Sequence, residues 1–216
     1  MHDLNPFPAE AVPSYHRWYE KPRGLALATL EKRALFHLLS PLGQGSLLDV
    51  GCGTGYFTAW FGELGFFVVG LDRSAPMLQF ARKRYRDLPF LQGSGEALPF
   101  ADRSFHVAAF ITSLEFMARP AAALREAARV ARAAILLGVI NRWSLYGLSR
   151  RLRKRPPYDR AHFYSFPELK SLLQSCLNRP FTMAWTTAIL SSRFGYASSH
   201  LPRGGFLAMR VDFPEK

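Results

Sequence analysis

The most informative part of this chain reads LLDVGCGTG over residues 47–55. Its apolar start predicts a buried strand, three glycines follow at alternate positions (Gly51, Gly53 and Gly55), and a helical pattern begins at Tyr56. Glycine reaches positive φ and has no Cβ, so a ligand can approach the backbone closely. The N-terminus of the following helix offers free N–H groups to such a ligand. The pattern therefore predicts a ligand site at the carboxyl end of a strand in an open α/β sheet.

An acid after the next strand indicates the kind of ligand. Residues 66–71 predict a second buried strand, and Asp72 follows it directly. A carboxylate at this position can accept both hydroxyls of a ribose. A dinucleotide fingerprint would need glycine in place of Tyr56, and no Gly-Lys-Ser/Thr of a phosphate loop follows the glycines. These features predict a nucleoside cofactor and disfavour a nicotinamide-dependent reductase.

The rest of the chain alternates strand patterns with helical patterns. This alternation predicts an α/β fold: a Rossmann-like, doubly wound, seven-stranded sheet that is mainly parallel, with an antiparallel pair of strands at the C-terminus. The predicted strands are residues 46–50, 66–71, 90–92, 105–111, 134–140, 181–188 and 205–211. The predicted helices are residues 24–39, 56–64, 74–86, 120–132, 145–153 and 166–177.

Composition narrows the class of protein. No apolar run reaches the roughly 18 residues that span a bilayer, and the first ten residues lack the apolar region of a signal peptide. Two cysteines, Cys52 and Cys176, are too few for a disulfide framework or a zinc cluster. From the 216 residues we expect one globular domain in the cytoplasm and no metal site.

The net charge of +12 is unevenly distributed. Residues 116–158 contain ten arginines or lysines and a single acid, Glu126. Such a basic region can meet phosphate, an anionic membrane surface or an acidic substrate. A solvated basic face is the simpler interpretation.

Four segments of the chain resemble a known family. The chain is similar to the class I S-adenosylmethionine-dependent methyltransferases, in particular the broad group related to the ubiquinone and menaquinone biosynthesis methyltransferases. The segments are YHRWYEKPRG (15–24), LLDVGCGTGYFT (47–58), VVGLDRSAPMLQFARKR (68–84) and LQGSGEALPFADRSFHVAAF (91–110). The resemblance implies an N-terminal helical lid over residues 1–45 and a Rossmann-like core over residues 46–216. Residues 141–165 would be an insertion on the substrate side of this one structural domain.

The resemblance also implies roles for individual residues. The glycine loop would approach the methionine part of the cofactor, Asp49 would orient its amino group, and Asp72 would hold the ribose hydroxyls. Ser94 stands where the family usually has an acid that accepts the adenine amine. The implied cofactor contacts are Tyr15, Arg23, Asp49, Gly51, Cys52, Gly53, Gly55, Asp72, Arg73, Ser94, Gly95, Glu96 and Thr112.

Methyl transfer from a sulfonium is an in-line displacement, so the protein mainly aligns the reactants and excludes water. A general base is needed only when the acceptor must lose a proton. Glu115, three residues past Thr112, and His162, in the insertion, are the candidate catalytic residues. We expect a small-molecule acceptor and S-adenosyl-L-homocysteine as the second product.

Two other functions remain open at this stage. The chain could methylate RNA or another nucleic acid through the basic region of residues 142–160, in which case binding should weaken with salt. It could also bind S-adenosylmethionine without catalysis, because a cofactor site does not by itself establish turnover.

Overall fold

A mixed β-sheet with helices on both faces forms the framework of the protein. The computed structural model describes residues 8–153, 156, 158–191, 195–199 and 204–214. The strands are β1 (Ser46–Val50), β2 (Phe67–Asp72), β3 (Phe90–Gln92), β4 (Phe105–Ile111), β5 (Ala131–Ile140), β6 (Thr182–Ser191), β7 (Gly195–Ser199) and β8 (Phe206–Asp212). The helices are α1 (Val12–Trp18), α2 (Pro22–Leu39), α3 (Tyr56–Glu63), α4 (Ala75–Arg84), α5 (Pro120–Val130), α6 (Leu145–Arg153) and α7 (Phe166–Cys176).

The strand order places a crevice at the end of β1. The order across the sheet is β3-β2-β1-β4-β5-β8-β6-β7. Strands β3, β2, β1, β4 and β5 pair in parallel, whereas β8, β6 and β7 pair antiparallel. Chain order reverses between β1 and β4, because β2 and β3 lie on one side of β1 and the later strands on the other. Ligands of open α/β sheets bind at such a switch point, beyond the carboxyl ends of the strands.

The central strands are buried on both faces, which explains their continuous apolar sequences. Successive side chains of a strand point to opposite faces. Accordingly, Leu48 packs in a cluster with residues of α5 and α7, and Leu47 packs in a second cluster with residues of α2 and α3. Burying each leucine fully contributes about 1.5–3 kcal/mol, so these two layers fix the sheet between the helices.

The predicted fold class is confirmed, and the structure adds details that the sequence patterns missed. An edge strand, β7, extends the predicted seven-stranded arrangement by pairing with β6. Strand β5 starts at Ala131, three residues before the predicted start, because Ala131 pairs with Phe105 of β4. The alanine-rich sequence there favours a helix, and pairing with a neighbouring strand overrides that preference.

Helix α1 is a separate short element before α2, within the segment predicted as a lid. The division into lid, core and insertion stays a prediction. Lys154 and Arg155 of the basic region lie outside the described residues. In the part of the chain that the structure describes, no helix is long and apolar enough to cross a membrane.

Candidate cofactor and acceptor site

The glycine loop between β1 and α3 has the backbone that the sequence predicts. Gly51, Gly53 and Gly55 adopt φ values of 75°, 53° and 79°. A Cβ on Gly51 would lie 2.5 Å from the Cβ of Ser113, and one on Gly55 would lie 2.8 Å from the Phe90 ring. A Cβ on Gly53 would meet nothing closer than 4.0 Å. Gly51 and Gly55 are therefore required by protein packing, whereas Gly53 keeps its backbone open toward the cavity.

Asp72, at the end of β2, is hydrogen-bonded to this loop. Its Oδ2 accepts the Gly53 N–H at 2.8 Å, and its Oδ1 accepts the Ser74 N–H at 2.8 Å. Burial raises the pKa of Asp72, while the two backbone N–H groups act in the opposite direction. Each carboxylate oxygen has a further lone pair. The side chain that orders the loop can therefore also accept hydroxyl groups from a ligand.

Asp49 is a second carboxyl at the cavity and is 2% exposed. Its Oδ2 accepts the Thr58 hydroxyl at 2.6 Å. The pKa of Asp49 is raised to about 7: burial is the main cause, the hydrogen bond from Thr58 acts against it, and the charge of Asp72 adds to it. A buried carboxyl of this kind favours a cationic partner, because an opposite charge stabilises its ionised form. The ammonium of an amino-acid moiety fits that requirement.

The residues around the glycine loop form a cavity that is partly open to solvent. Most of the predicted cofactor contacts lie on its wall: Tyr15, Asp49, Gly51, Cys52, Gly53, Asp72, Arg73, Ser94, Gly95, Glu96 and Thr112. The structure brings these residues together from five separate parts of the chain.

Two predicted contacts lie elsewhere. Arg23 is exposed in the first turn of α2 and does not belong to the cavity wall. Gly55 caps α3 in a left-handed conformation and faces Phe90. Their roles as cofactor contacts stay predictions.

The wall beyond β3 contains Ser94, Gly95 and Glu96. The Glu96 carboxylate accepts two hydrogen bonds from Arg119, one from the guanidinium Nε at 2.8 Å and one from the backbone N–H at 3.0 Å. Burial acts to raise the pKa of Glu96, but its bonds to Arg119 lower it overall. Glu96 therefore anchors this segment to the start of α5. A Cβ on Gly95 would lie 2.7 Å from Val50, so a larger residue would displace this wall.

Aromatic residues of α1 and α3 close one side of the cavity. The Tyr15 and Tyr19 hydroxyls are 3.2 Å apart, and the Tyr19 ring stacks on Tyr56 with centroids at 4.0 Å. All three line the cavity. Sequence analysis assigned a role only to Tyr15. Tyr19 follows α1 directly and lies four residues after Tyr15, and this spacing was a signal that could have identified it.

Thr112 lies at the cavity wall with φ of 49°. Its N–H donates to the Gly138 carbonyl at 2.7 Å, which holds it in this conformation. A β-branched residue in the left-handed region is a genuine outlier and costs about 1–3 kcal/mol. Such strain is found at ligand sites, and it supports a functional position for Thr112.

Glu115 lies in the 3-10 turn Leu114–Phe116 and is 2% exposed. Its Oε1 accepts the Ile140 N–H at 2.7 Å, and its backbone carbonyl accepts the His162 N–H at 2.8 Å. Its Oε2 has no hydrogen-bond partner among the described residues. Burial raises the pKa of Glu115 to about 7. The next two residues, Phe116 and Met117, line the cavity.

His162 is joined to Glu115 through its backbone, while its side chain is exposed. The imidazole packs against Tyr164 with centroids 4.7 Å apart. It does not belong to the cavity wall. The catalytic roles of Glu115 and His162 stay predictions.

Glu31 is a carboxyl that sequence analysis missed. It lies on the inner face of α2, in line with the buried residues Gly24, Ala28, Leu35 and Leu38, and is itself partly buried. Its pKa is raised to about 8, mainly by burial and in smaller part by the charge of Glu115. An acid in the middle of an apolar helical stripe was the available signal.

The fold and the cavity define a nucleoside-cofactor protein of the doubly wound α/β class. A family described as "Methyltransferase domain" matches residues 48–134. A malonyl-acyl-carrier-protein O-methyltransferase of Erwinia pyrifoliae is 32% identical over 191 residues, covering 82% of this chain and 72% of the relative. An uncharacterized protein of Mycobacterium tuberculosis is 35% identical over 166 residues, covering 74% of this chain. The chain spans 55%, about half, of that relative's length.

Two solved structures with the same fold are also methyltransferases. A Thermotoga maritima S-adenosylmethionine-dependent methyltransferase, described as a possible histamine N-methyltransferase, superposes with a TM-score of 0.80 at 27% identity, covering 94% of this chain and 96% of its own. The magnesium protoporphyrin IX methyltransferase of Synechocystis, with bound S-adenosylhomocysteine, shares the fold with a TM-score of 0.66 at 15% identity, covering 94% and 95%. This chain belongs to the S-adenosylmethionine-dependent methyltransferases.

Proposed function

We propose that the protein transfers a methyl group from S-adenosylmethionine to a small-molecule acceptor. The observation that carries this proposal is the cavity in which an open glycine loop meets the buried carboxyl of Asp49 and the partly buried carboxyl of Asp72. Bound there, the cofactor would supply a methyl group on a positively charged sulfur that accepts the bonding electrons when the methyl leaves. A cytoplasmic location and S-adenosylhomocysteine as product are part of the proposal.

The two carboxyls divide the recognition of the cofactor. Asp72 would accept the ribose hydroxyls with the lone pairs that remain beside its bonds to Gly53 and Ser74. Asp49 would bind the ammonium of the methionine part, and this pairing would stabilise its ionised form. Ser94 would accept the adenine amine. Their positions around one cavity support this order of adenine, ribose and methionine along the wall.

The aromatic wall would exclude water and align the acceptor. Tyr15, Tyr19 and Phe116 contribute apolar rings next to Thr112 and Ser113. Displacement at the methyl carbon requires the acceptor atom, the carbon and the sulfur to be in line, and fixed walls supply that alignment.

The names of the relatives leave the acceptor atom open, because they include an O-methyltransferase and a possible N-methyltransferase. A nucleic-acid substrate finds less support in the basic region. Arg142 forms an ion pair with Glu168, and the Arg150 guanidinium lies over the rings of Tyr146 and Tyr158. Both cations therefore have partners within the protein.

Calorimetric titration with S-adenosylhomocysteine, compared with NAD, tests the cofactor. We expect S-adenosylhomocysteine to bind and NAD not to bind. We also expect Asp72→Ala to lose S-adenosylhomocysteine binding. Asp87→Ala is the matched control, because Asp87 is an exposed carboxyl outside the cavity wall. Binding of NAD instead, or of neither compound, would refute the proposal. Transfer of a labelled methyl group from S-adenosylmethionine to a metabolite extract, in the same variants, tests turnover.

A further inference from the structure

Helix α6, which follows the end of β5, exposes apolar side chains. Leu145 and Leu152 are 87% and 75% exposed, and Leu148 is exposed as well. Their spacing of three and four residues places all three side chains on one face of the helix. The apolar stripe of a surface helix normally faces the core of its protein. In α6 this stripe faces outward, and the described part of the chain leaves it uncovered.

The opposite face of α6 is held to the protein. Gly147 is buried, and a Cβ added to it would clash with the Asn141 carbonyl oxygen. The Ser144 hydroxyl accepts the Gly147 N–H at 2.9 Å and donates to the Asn141 carbonyl at 2.7 Å. The Asn141 side chain donates in turn to the Gly204 carbonyl at 2.8 Å. These contacts determine which face of α6 points outward.

Aromatic contacts place α6 beside the cofactor cavity. The NH2 group of Arg150 donates to the Tyr146 hydroxyl at 3.0 Å, and its guanidinium lies 4.9 Å from the centre of the Tyr158 ring. The Tyr158 ring lies 6.3 Å from that of Phe116, which lines the cavity. No described side chain of α6 belongs to the cavity wall. The outward face of the helix is therefore a surface separate from the cofactor site.

The segment that contains these leucines is strongly basic. Residues 142–160 include seven arginines or lysines and one acid, Asp159. Arg151 is exposed directly before Leu152, and Arg160 is exposed in the 3-10 turn that follows. Trp143, two residues before the helix, is exposed as well. The surface therefore combines apolar side chains, an indole ring and positive charge.

This combination fits the surface of an anionic membrane. An interfacial helix buries leucine and tryptophan side chains at the level of the lipid headgroups, while its cations attract anionic lipids. Two copies of this basic face would repel each other, because like charges destabilise a contact. Nucleic acid also offers phosphates, but its interfaces with proteins are polar, so the exposed leucines would gain little there.

We propose that α6 binds the protein to the surface of an anionic lipid bilayer. Leu145, Leu148 and Leu152 enter the headgroup region together with the Trp143 ring, and Arg151 contacts lipid phosphates. The binding is reversible, because one short helix buries little apolar area. The interaction goes beyond the proposed function, since it requires neither cofactor nor acceptor.

Vesicle binding in the absence of cofactor tests this inference. One set of vesicles is phosphatidylcholine, and the other is an equal mixture of phosphatidylcholine and phosphatidylglycerol. We expect the protein to co-sediment with the mixed vesicles about tenfold or more tightly, because each cation near an anionic bilayer strengthens binding about fivefold. Added salt should weaken this binding. Tryptophan fluorescence should shift to shorter wavelength on the mixed vesicles, and Trp143→Phe should lack the shift.

Single substitutions separate the apolar contribution from the charge. Leu145→Ser and Leu152→Ser should each weaken vesicle binding about tenfold, because burying a leucine favours binding by about that factor or more. Leu25→Ser, an exposed leucine of α2, is the matched control and should bind fully. Arg151→Gln should weaken binding about fivefold, whereas Arg86→Gln, exposed elsewhere on the protein, should not. All five variants should keep the melting temperature of the unaltered protein, because these side chains are exposed.

Absence of binding to the mixed vesicles, full binding by both leucine variants, or a fluorescence shift that persists in Trp143→Phe would overturn the inference. A dimer of the unaltered protein that Leu145→Ser dissociates, measured by sedimentation equilibrium, would assign the face to a second copy and would overturn it as well. None of these outcomes involves S-adenosylhomocysteine, whose binding tests the proposed function separately.

Discussion

The Nδ1 atom of His16 lies 3.0 Å from the hydroxyl oxygen of Thr54, so helix α1 is hydrogen-bonded to the glycine loop. His16 is 4% exposed and Thr54 is 1% exposed. The imidazole also packs on Phe80, with centroids 4.8 Å apart. This contact couples the position of α1, which contains Tyr15 and is followed directly by Tyr19, to the glycine loop at the cavity.

We expect His16→Ala to weaken both folding and cofactor binding. The substitution leaves the Thr54 hydroxyl buried without a partner and opens a space beside Phe80, so the free energy of unfolding should fall by about 2–4 kcal/mol. S-adenosylhomocysteine affinity should fall as well. Denaturant unfolding and calorimetry measure the two effects, with His37→Ala, an exposed histidine of α2, as control. Unchanged affinity in His16→Ala would show that α1 and the loop are not coupled.

Replacement of Gly53 by alanine separates binding from folding. The new Cβ would have nothing closer than 4.0 Å, so its stability cost is that of a positive φ, about 1–2 kcal/mol. On the proposed function, the methyl group would instead occupy space that the methionine part of the cofactor needs. We expect a large loss of S-adenosylhomocysteine affinity with a modest fall in melting temperature.

Gly43→Ala is the matched control, because Gly43 has φ of 68° and nothing within 4 Å of its added Cβ. It should show the same modest fall in melting temperature with full affinity. Equal affinities of the two variants would contradict the assignment of the loop.

The raised pKa of Glu115 predicts a pH-dependent cost to folding. Burial raises this pKa from 4.5 to about 7, so between these values the folded chain holds a proton that the unfolded chain has released. Stability therefore falls as pH rises through this window. Glutamine cannot ionise, so Glu115→Gln should gain stability relative to the unaltered protein by about 2–3 kcal/mol between pH 5 and pH 7.5. Urea unfolding at both pH values measures this, and a difference that does not vary with pH would disprove it.

Arg129 links α5 to residues 98–102, which follow the cavity-wall residues Ser94, Gly95 and Glu96 in the chain. Its NH1 and NH2 groups donate to the carbonyls of Phe100 and Leu98 at 2.7 and 3.0 Å, and they also bind Asp102 and Glu126. Lysine cannot reproduce this forked geometry. Arg129→Lys should lower the free energy of unfolding by about 1–3 kcal/mol, whereas Arg125→Lys, exposed on the same helix, should not. Thermal unfolding compares the two, and equal losses would rule out a specific role for Arg129.

The parts of the fold that sequence predicted are those where local chemistry decides the structure. The glycine loop requires positive φ at three positions, and Asp72 follows a strand whose apolar pattern is unbroken. Strand β7 lacked such a signal, and among the described residues its ladder is formed with β6. Pairing with a partner strand is not encoded in the local sequence.

The candidate site was predictable in its cofactor half and less so in its acceptor half. Asp49, Gly51 and Asp72 belong to one contiguous unit of strand, loop, helix and strand. Glu31 lies on a helix that precedes the sheet, so only the packing of α2 against β5, β6 and β8 shows that it is partly buried. An acid within an apolar helical stripe predicts a carboxyl on the inner face of the helix, but the local sequence does not show which residues that carboxyl faces.

The strained backbone of Thr112 lowers the stability of a residue that lines the cavity, so selection for stability and selection for ligand binding act in opposite directions there. Asparagine or glycine would adopt its left-handed conformation at lower cost. A laboratory search for heat-resistant variants should therefore recover replacements of Thr112, and those survivors should hold the cofactor less well. That result would mean that selection for ligand binding, and not selection for folding alone, has kept a threonine at this position.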